Sequence, residues 1–268
     1  MENKVVVITG ASSGIGRALA LAYAHDGYSL VLAARNKEKL DQLAEEISER
    51  KIEVITVKTD VSREEDCINL VKSAIEKFGQ IDVLINNAGI SMRALFKDLE
   101  LDVLRKLMDV NFWGTVYCTK YALPHLLSRG GSVVGVSSIA GYKGLPGRTG
   151  YSASKFAIHG FLETLRTENL KTGLHVLLAC PGFTASNIRK TALGSDGSQQ
   201  GESPRQEAEM MSAEEVAEKI KQAVEKRKRS LVLTTQGKMT VLLNKLFPGM
   251  MDKMVYKHMA KEPDSPFK

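Results

Sequence analysis

Between residues 4 and 179 the chain repeats one unit six times: a short run of β-branched and aliphatic residues, then a longer stretch with helical spacing. The runs are 4–9, 28–34, 52–58, 81–85, 132–137 and 174–179, and the first contains Val5-Val6-Val7-Ile8. They are apolar throughout instead of alternating, as a strand covered on both faces requires. Strands separated by helices cannot pair as hairpins. They pair in parallel through right-handed crossovers. The expected fold is α/β: one doubly wound parallel sheet with helices on both faces. A short run at 231–233, after a helix at 212–226, brings the count to about seven strands.

Punctuation marks the helices. Gly27 closes a helix at 17–25, and Asn36 caps a polar helix reaching about Arg50. Ser62, with Glu65 three residues on, reads as a capping box for a helix ending near Phe78-Gly79. One continuous helix is expected over 99–127, stopped by Arg129-Gly130-Gly131, and another over 150–171. The 268 residues, 43% hydrophobic, suffice for one large core. The expected catalytic unit is residues 1–235, followed by a basic helical extension, 236–268.

The net charge is +6, without a basic stripe interleaved by aromatics, so an anionic small molecule fits and nucleic acid does not. Cys67, Cys118 and Cys180 are odd in number and widely spaced, which points to reduced thiols. The five histidines show no metal-ligand spacing, so no metal is expected. The N-terminal apolar run is too short for a signal peptide or a membrane span, and a cytoplasmic location is expected.

Chemistry enters at the turn after the first strand. Gly10, Gly14 and Gly16, with Ser12, Ser13 and Ile15 between them, join that strand to a helix. Glycines let a backbone approach phosphates, and a helix start offers free N–H groups and the positive end of its dipole. This is a place for a dinucleotide pyrophosphate. The second strand ends in Ala33-Ala34-Arg35-Asn36, with no carboxylate to hold a ribose 2′-hydroxyl. Arg35 suits a 2′-phosphate, which favours NADP(H) over NAD(H). Farther on, Tyr151 and Lys155 stand at i and i+4 on one helix face. An ammonium beside a phenol favours the phenolate, so this spacing predicts a lowered Tyr151 pKa.

Thr9-Gly10-Ala11-Ser12-Ser13-Gly14-Ile15-Gly16, Asp60-Val61, Asn86-Asn87-Ala88-Gly89, Asn111, Ser138, Tyr151-x-x-x-Lys155 and Pro181-Gly182 occur in this order. Together they resemble the short-chain dehydrogenase/reductase family, over residues 4 to about 235. The resemblance implies a Rossmann-type domain that moves a hydride between NADP(H) and a carbonyl compound or secondary alcohol. It implies that Tyr151 is the general acid or base, and that Lys155 tunes it and holds the nicotinamide ribose. Ser138 would bind the substrate oxygen beside Tyr151, and Asn111 would support a water-linked proton relay. Asp60 and Val61 would meet the adenine, with Arg35 and Asn36 near its ribose. Asn87, Ala88 and Gly89 would line the adenosine ribose and brace the sheet; Pro181, Gly182 and Thr184 would hold the carboxamide. Phe183 stands where the family often has a smaller aliphatic residue. A homodimer or homotetramer through helices 99–127 and 150–171 is implied as well.

Ser137 competes with Ser138, since adjacent strand residues face opposite sides. His159 is expected to pack. Residues 184–211, polar and turn-rich, are expected to form a mobile substrate lid. In the tail, apolar residues at helical spacing from Leu242 to Val255 are flanked by lysines. They suit packing on the chain's own core or a second subunit, then a hydrophobic substrate entrance, then an anionic membrane surface. Two other functions stay open: a 3-oxoacyl-thioester reductase of lipid synthesis, and a non-catalytic dinucleotide-binding redox sensor.

Overall fold

The computed structural model describes residues 4–50, 52–201, 210–262 and 265–267. Its centre is a seven-stranded sheet in the order β3-β2-β1-β4-β5-β6-β7, formed by β1 (Val5–Thr9), β2 (Ser29–Ala34), β3 (Val54–Lys58), β4 (Val83–Asn86), β5 (Ser132–Val136), β6 (His175–Cys180) and β7 (Ser230–Val232). Every pairing is parallel. On one face, Val6, Ile8, Leu30 and Leu32 pack against α1 (Gly14–His25), α2 (Lys37–Ser48) and α7 (Ala213–Glu225). On the other, Val5, Val7, Val31 and Leu84 pack against α3 (Glu64–Phe78), α5 (Gly114–Arg129) and α6 (Thr149–Glu168). Both faces are covered, which is why the strands carry no polar alternation. Each fully buried side chain, such as Ile8 or Leu84, contributes roughly 1.5–3 kcal/mol.

The helix expected over 99–127 is broken. It comprises α4 (Leu101–Leu107), a π-helical turn (Met108–Trp113) and α5. Asn111 lies in the wide turn, fully buried, with both ends of its amide bonded to the Ile90 main chain. The extra residue per turn brings that amide inward, a device common at functional sites. The helix expected through the tail is also two, α8 (Thr235–Leu246) and α9 (Pro248–Ala260). Pro248 has no N–H for the preceding turn and instead begins α9. The expected capping box at Ser62 is absent: the N-cap of α3 is Arg63. Ser62 donates both its N–H and its hydroxyl to Asp60 Oδ1, at 3.1 and 2.7 Å, and so is drawn away from the helix.

Gly135 in β5 sets the height of α6 over the sheet. A Cβ there would lie 2.3 Å from Leu162 Cδ1. Gly135→Val is expected to lift α6 and cost about 1–3 kcal/mol, read as a lower midpoint in urea unfolding. An unchanged midpoint would show that α6 repacks freely. Among the described residues, no helix is long and apolar enough to cross a membrane.

Candidate active site

The strand order reverses between β1 and β4, and the crevice at their carboxyl ends is where such sheets bind ligands. Gly10 and Gly14 hold φ of +66° and +52°, and a Cβ on Gly16 would lie 2.2 Å from the Gly10 carbonyl oxygen. Only glycines make this turn. α1 starts at Gly14 without a side-chain cap and without an acidic residue in its first turn. Its N-terminal N–H groups and dipole therefore face the crevice uncompensated. Asn87 Nδ2 ties the loop down, donating to the carbonyls of Thr9 and Gly10 at 2.9 and 3.2 Å. The N–H groups of Asn87 and Ala88 both reach the Thr9 hydroxyl at 3.0 Å. The cradle fits a dinucleotide pyrophosphate. Sequence reasoning missed Ser186, whose Cβ lies 3.4 Å from a Cβ built on Gly14; no motif marks a loop folding back from so far along the chain.

Arg35, Lys58, Asp60, Arg63 and Asp66 surround a recess of about 420 Å³ beyond β2 and β3. Lys58 and Arg63 were not foreseen, because only the fold brings them beside Arg35. Asn36, expected near the ribose, spends its side-chain oxygen on capping α2, accepting from the Lys39 N–H at 2.9 Å. Asp60 Oδ1 is engaged by Ser62. The Val61 side chain is buried against Gly114, so a contact with an adenine would fall to its main chain.

Ser138, Tyr151, Lys155 and Asn111 come from three separate segments to one place. Ser138 follows β5; Tyr151 and Lys155 lie on α6, with Lys155 Nζ 5.7 Å from the phenol ring centroid. Lys155 is buried and donates to the Val136 carbonyl at 3.0 Å. Burial brings its pKa down to about 8. Tyr151 departs from expectation: its pKa is raised, not lowered. Burial is the main cause, opposed by the neighbouring Ser138 hydroxyl and by the charges of Arg148 and Arg189. The ammonium is aimed at the Val136 carbonyl, and desolvation of the phenol dominates. The Asn111 amide is committed to Ile90 and to Ser154 Oγ at 2.9 Å, so it braces the site. Ser137 turns the other way, onto His159 Nε2 at 2.8 Å. Burial pushes the His159 pKa down to about 4, so it is a neutral packing residue at neutral pH.

Ser138 opens into a cavity of about 340 Å³ whose walls include Leu145, Pro181, Phe183, Leu243 and Met251. Most of that wall comes from α8 and α9, which the motifs do not cover. Gly182 lets the tail approach: a Cβ there would lie 2.9 Å from the Thr234 side chain. Thr234 caps α8 through its hydroxyl at φ 63°, a left-handed conformation unusual for threonine. Thr184, expected at the carboxamide, is buried, and its hydroxyl donates to the Gly182 carbonyl at 3.2 Å. The tail is pinned at its end by buried Glu262, 3.6 Å from Arg93 Nε and 3.4 Å from Arg148. In the expected lid, residues 202–209 lie outside the described residues. Before them, Leu193 is buried against Met92 and Val103, and its N–H and carbonyl bond to the 91–93 main chain.

A family model described as short chain dehydrogenase matches residues 4–195. The mouse protein named dehydrogenase/reductase SDR family member 7B is 36% identical over 99% of this chain and 84% of its own length. An alcohol dehydrogenase from Thermococcus sibiricus, solved with 5-hydroxy-NADP, superposes with a TM-score of 0.78 at 29% identity, covering 87% of this chain and 96% of that one. A short chain dehydrogenase/reductase from Burkholderia phymatum, solved with NAD, gives 0.83 at 26% identity, covering 93% and 95%. The glycine cradle at the sheet's switch point and the Ser138, Tyr151 and Lys155 cluster beside it thus sit in a known frame: this chain belongs to the short-chain dehydrogenase family, a family of nicotinamide-dependent oxidoreductases.

Proposed function

We propose that this oxidoreductase uses NADP(H) and works chiefly as a reductase of an apolar ketone or aldehyde, with the matching secondary alcohol as product. The observation that carries the reading is that Ser138, which lines an apolar cavity, lies against the Tyr151 phenol, with the Lys155 ammonium 5.7 Å from the centre of that ring. The bound cofactor supplies the hydride. Gly10, Ser12, Ser13, Gly14, Ile15 and Gly16 hold its pyrophosphate at the start of α1, and Pro181 and Gly182 flank its nicotinamide end. Ser138 donates a hydrogen bond to the substrate oxygen as charge builds there. Tyr151 gives that oxygen its proton. Burial holds the phenol in its protonated form at neutral pH, the form that can donate a proton to that oxygen. The Lys155 ammonium offsets the negative charge left once the phenol has ionised.

Arg35, Lys58 and Arg63 around one recess support a 2′-phosphate over a free hydroxyl. Pairing of copies through α4 to α6 is part of the reading, supported by exposed Leu101, Trp113 and Phe156. The test is NADPH oxidation followed by absorbance with a panel of carbonyl compounds, with NADH run beside it. Turnover with none of them, despite dinucleotide binding, would favour the redox-sensor reading instead. Arg35→Ala is expected to raise KM for NADPH about tenfold or more and to leave NADH unchanged, since a charge-assisted hydrogen bond is worth about 1.5–3 kcal/mol. An unchanged KM for NADPH would remove Arg35 from cofactor selection.

A further inference from the structure

The cavity mouth is built from side chains that also face outward. Met239 of α8 and Met254 of α9 both line the cavity, yet are 48% and 49% exposed. Each belongs to an apolar stripe. On α8, Met239, Leu242 and Leu246 recur at i, i+3 and i+7; on α9 and its cap, Phe247, Met250 and Met254 do the same. Leu242, Leu246, Phe247 and Met250 are all exposed. The apolar lining of the cavity therefore continues through Met239 and Met254 onto an open apolar face, which a monomer in water does not tolerate without use.

The charge around that face decides what covers it. Lys238, Lys245, Lys253, Lys257 and Lys261 are all exposed on or beside the two helices. The hairpin from 235 to 261 carries one carboxylate, Asp252, and that is paired with Lys143 of the loop before α6. A two-fold contact with a second copy would set this lysine-rimmed patch against itself. An anionic lipid surface supplies the opposite charge and an apolar layer to receive the stripes.

We infer that the α8–α9 hairpin docks on an anionic bilayer with the cavity mouth facing it, and that the carbonyl substrate is a lipid-soluble compound taken up from that bilayer. The second half rests on the reductase reading; the docking does not.

The test uses the whole chain and flotation with phosphatidylcholine vesicles, with and without phosphatidylglycerol. Binding is expected only where phosphatidylglycerol is present, and should weaken with added salt. Leu242→Glu with Leu246→Glu, neither of which lines the cavity, should lower vesicle affinity about tenfold or more. The same variant should turn over a water-soluble carbonyl as the parent does, and lose rate on a long-chain aldehyde held in the vesicles. Absence of binding to both vesicle types would overturn the docking. So would a fall in oligomeric state in the double variant, since a second copy would then be the cover. Vesicle binding without turnover of any carbonyl would leave the docking standing and remove the uptake, through failure of the reductase reading alone.

Discussion

Tyr151→Phe is expected to cut carbonyl reduction about a thousandfold, within the 10²–10⁴ range of a positioned general acid. The change removes one oxygen from a half-buried side chain and keeps its ring. The side chain packs against the apolar cluster that includes Met92 and Leu107, and the ring keeps that packing after the substitution. Dinucleotide affinity, measured by titration calorimetry, should stay within a few fold, because the glycine cradle lies on a different strand and helix. Ser138 would still donate to the substrate oxygen, so the residual rate should exceed that in solution. The parent should also hold its reductive rate through neutral pH and lose it only on the alkaline side, as the raised phenol finally ionises. Retention of most of the turnover in the variant would take the proton donor away from Tyr151.

Lys155→Met should bring two opposite effects: loss of activity and a gain in stability. Lys155 is buried, and its folded pKa is about 8 against an ordinary 10.5. Between those values the unfolded chain binds more protons than the folded one, so the parent becomes more stable as pH rises from about 8 to 10.5. Below that window the full cost of burying the ammonium applies, about 3 kcal/mol. Methionine fills similar space without charge. It also leaves the Val136 carbonyl without its donor, which costs about 1 kcal/mol. The remainder predicts a melting temperature about 5 °C above the parent at pH 7, with the gap closing as pH approaches 10. A variant less stable than the parent at pH 7 would mean that the fold compensates the buried charge. A stabilised, inactive variant is the signature of a residue kept for chemistry at the expense of the fold.

The same two residues mark the limit of sequence reasoning. Spacing put Tyr151 and Lys155 on one helix face, and they share it. Spacing also suggested that the ammonium would lower the phenol's pKa, and burial reversed that. Neighbouring charge is a local relation; desolvation depends on what the rest of the chain lays over the group. Asn111 behaves alike. The motif located it, but a π-helical turn keeps the apolar pattern of an α-helix on either side, so periodicity could not show the widened turn. Ser62 was misread because Asp60, two residues earlier, competes for the hydroxyl that would have capped α3. The break at Pro248 was legible, since proline cannot continue a helix, and the apolar stripe across it obscured the point.

The cavity was scarcely legible. Its floor, Ser138 with Pro181 and Gly182, belongs to the recognised motifs, but its walls come from Leu145, Thr234 and the α8–α9 hairpin. The sequence offered three uses for the tail's stripe because a stripe specifies that something apolar is met, and not what. The hairpin now covers the Ser138 end of the crevice while leaving an apolar face open.

By itself, then, the sequence determined the layered parallel sheet and the glycine cradle, and it singled out Ser138, Tyr151 and Lys155 as the candidates for the chemistry. These follow from alternation, turn chemistry and spacing, which are relations among near neighbours in the chain. Only the tertiary structure decided which groups are stripped of water, which cations gather at Arg35, and what shape of molecule reaches Ser138. Those depend on segments as far apart in the chain as Ser138 and Met259 coming together, and close packing, not local pattern, sets their distances.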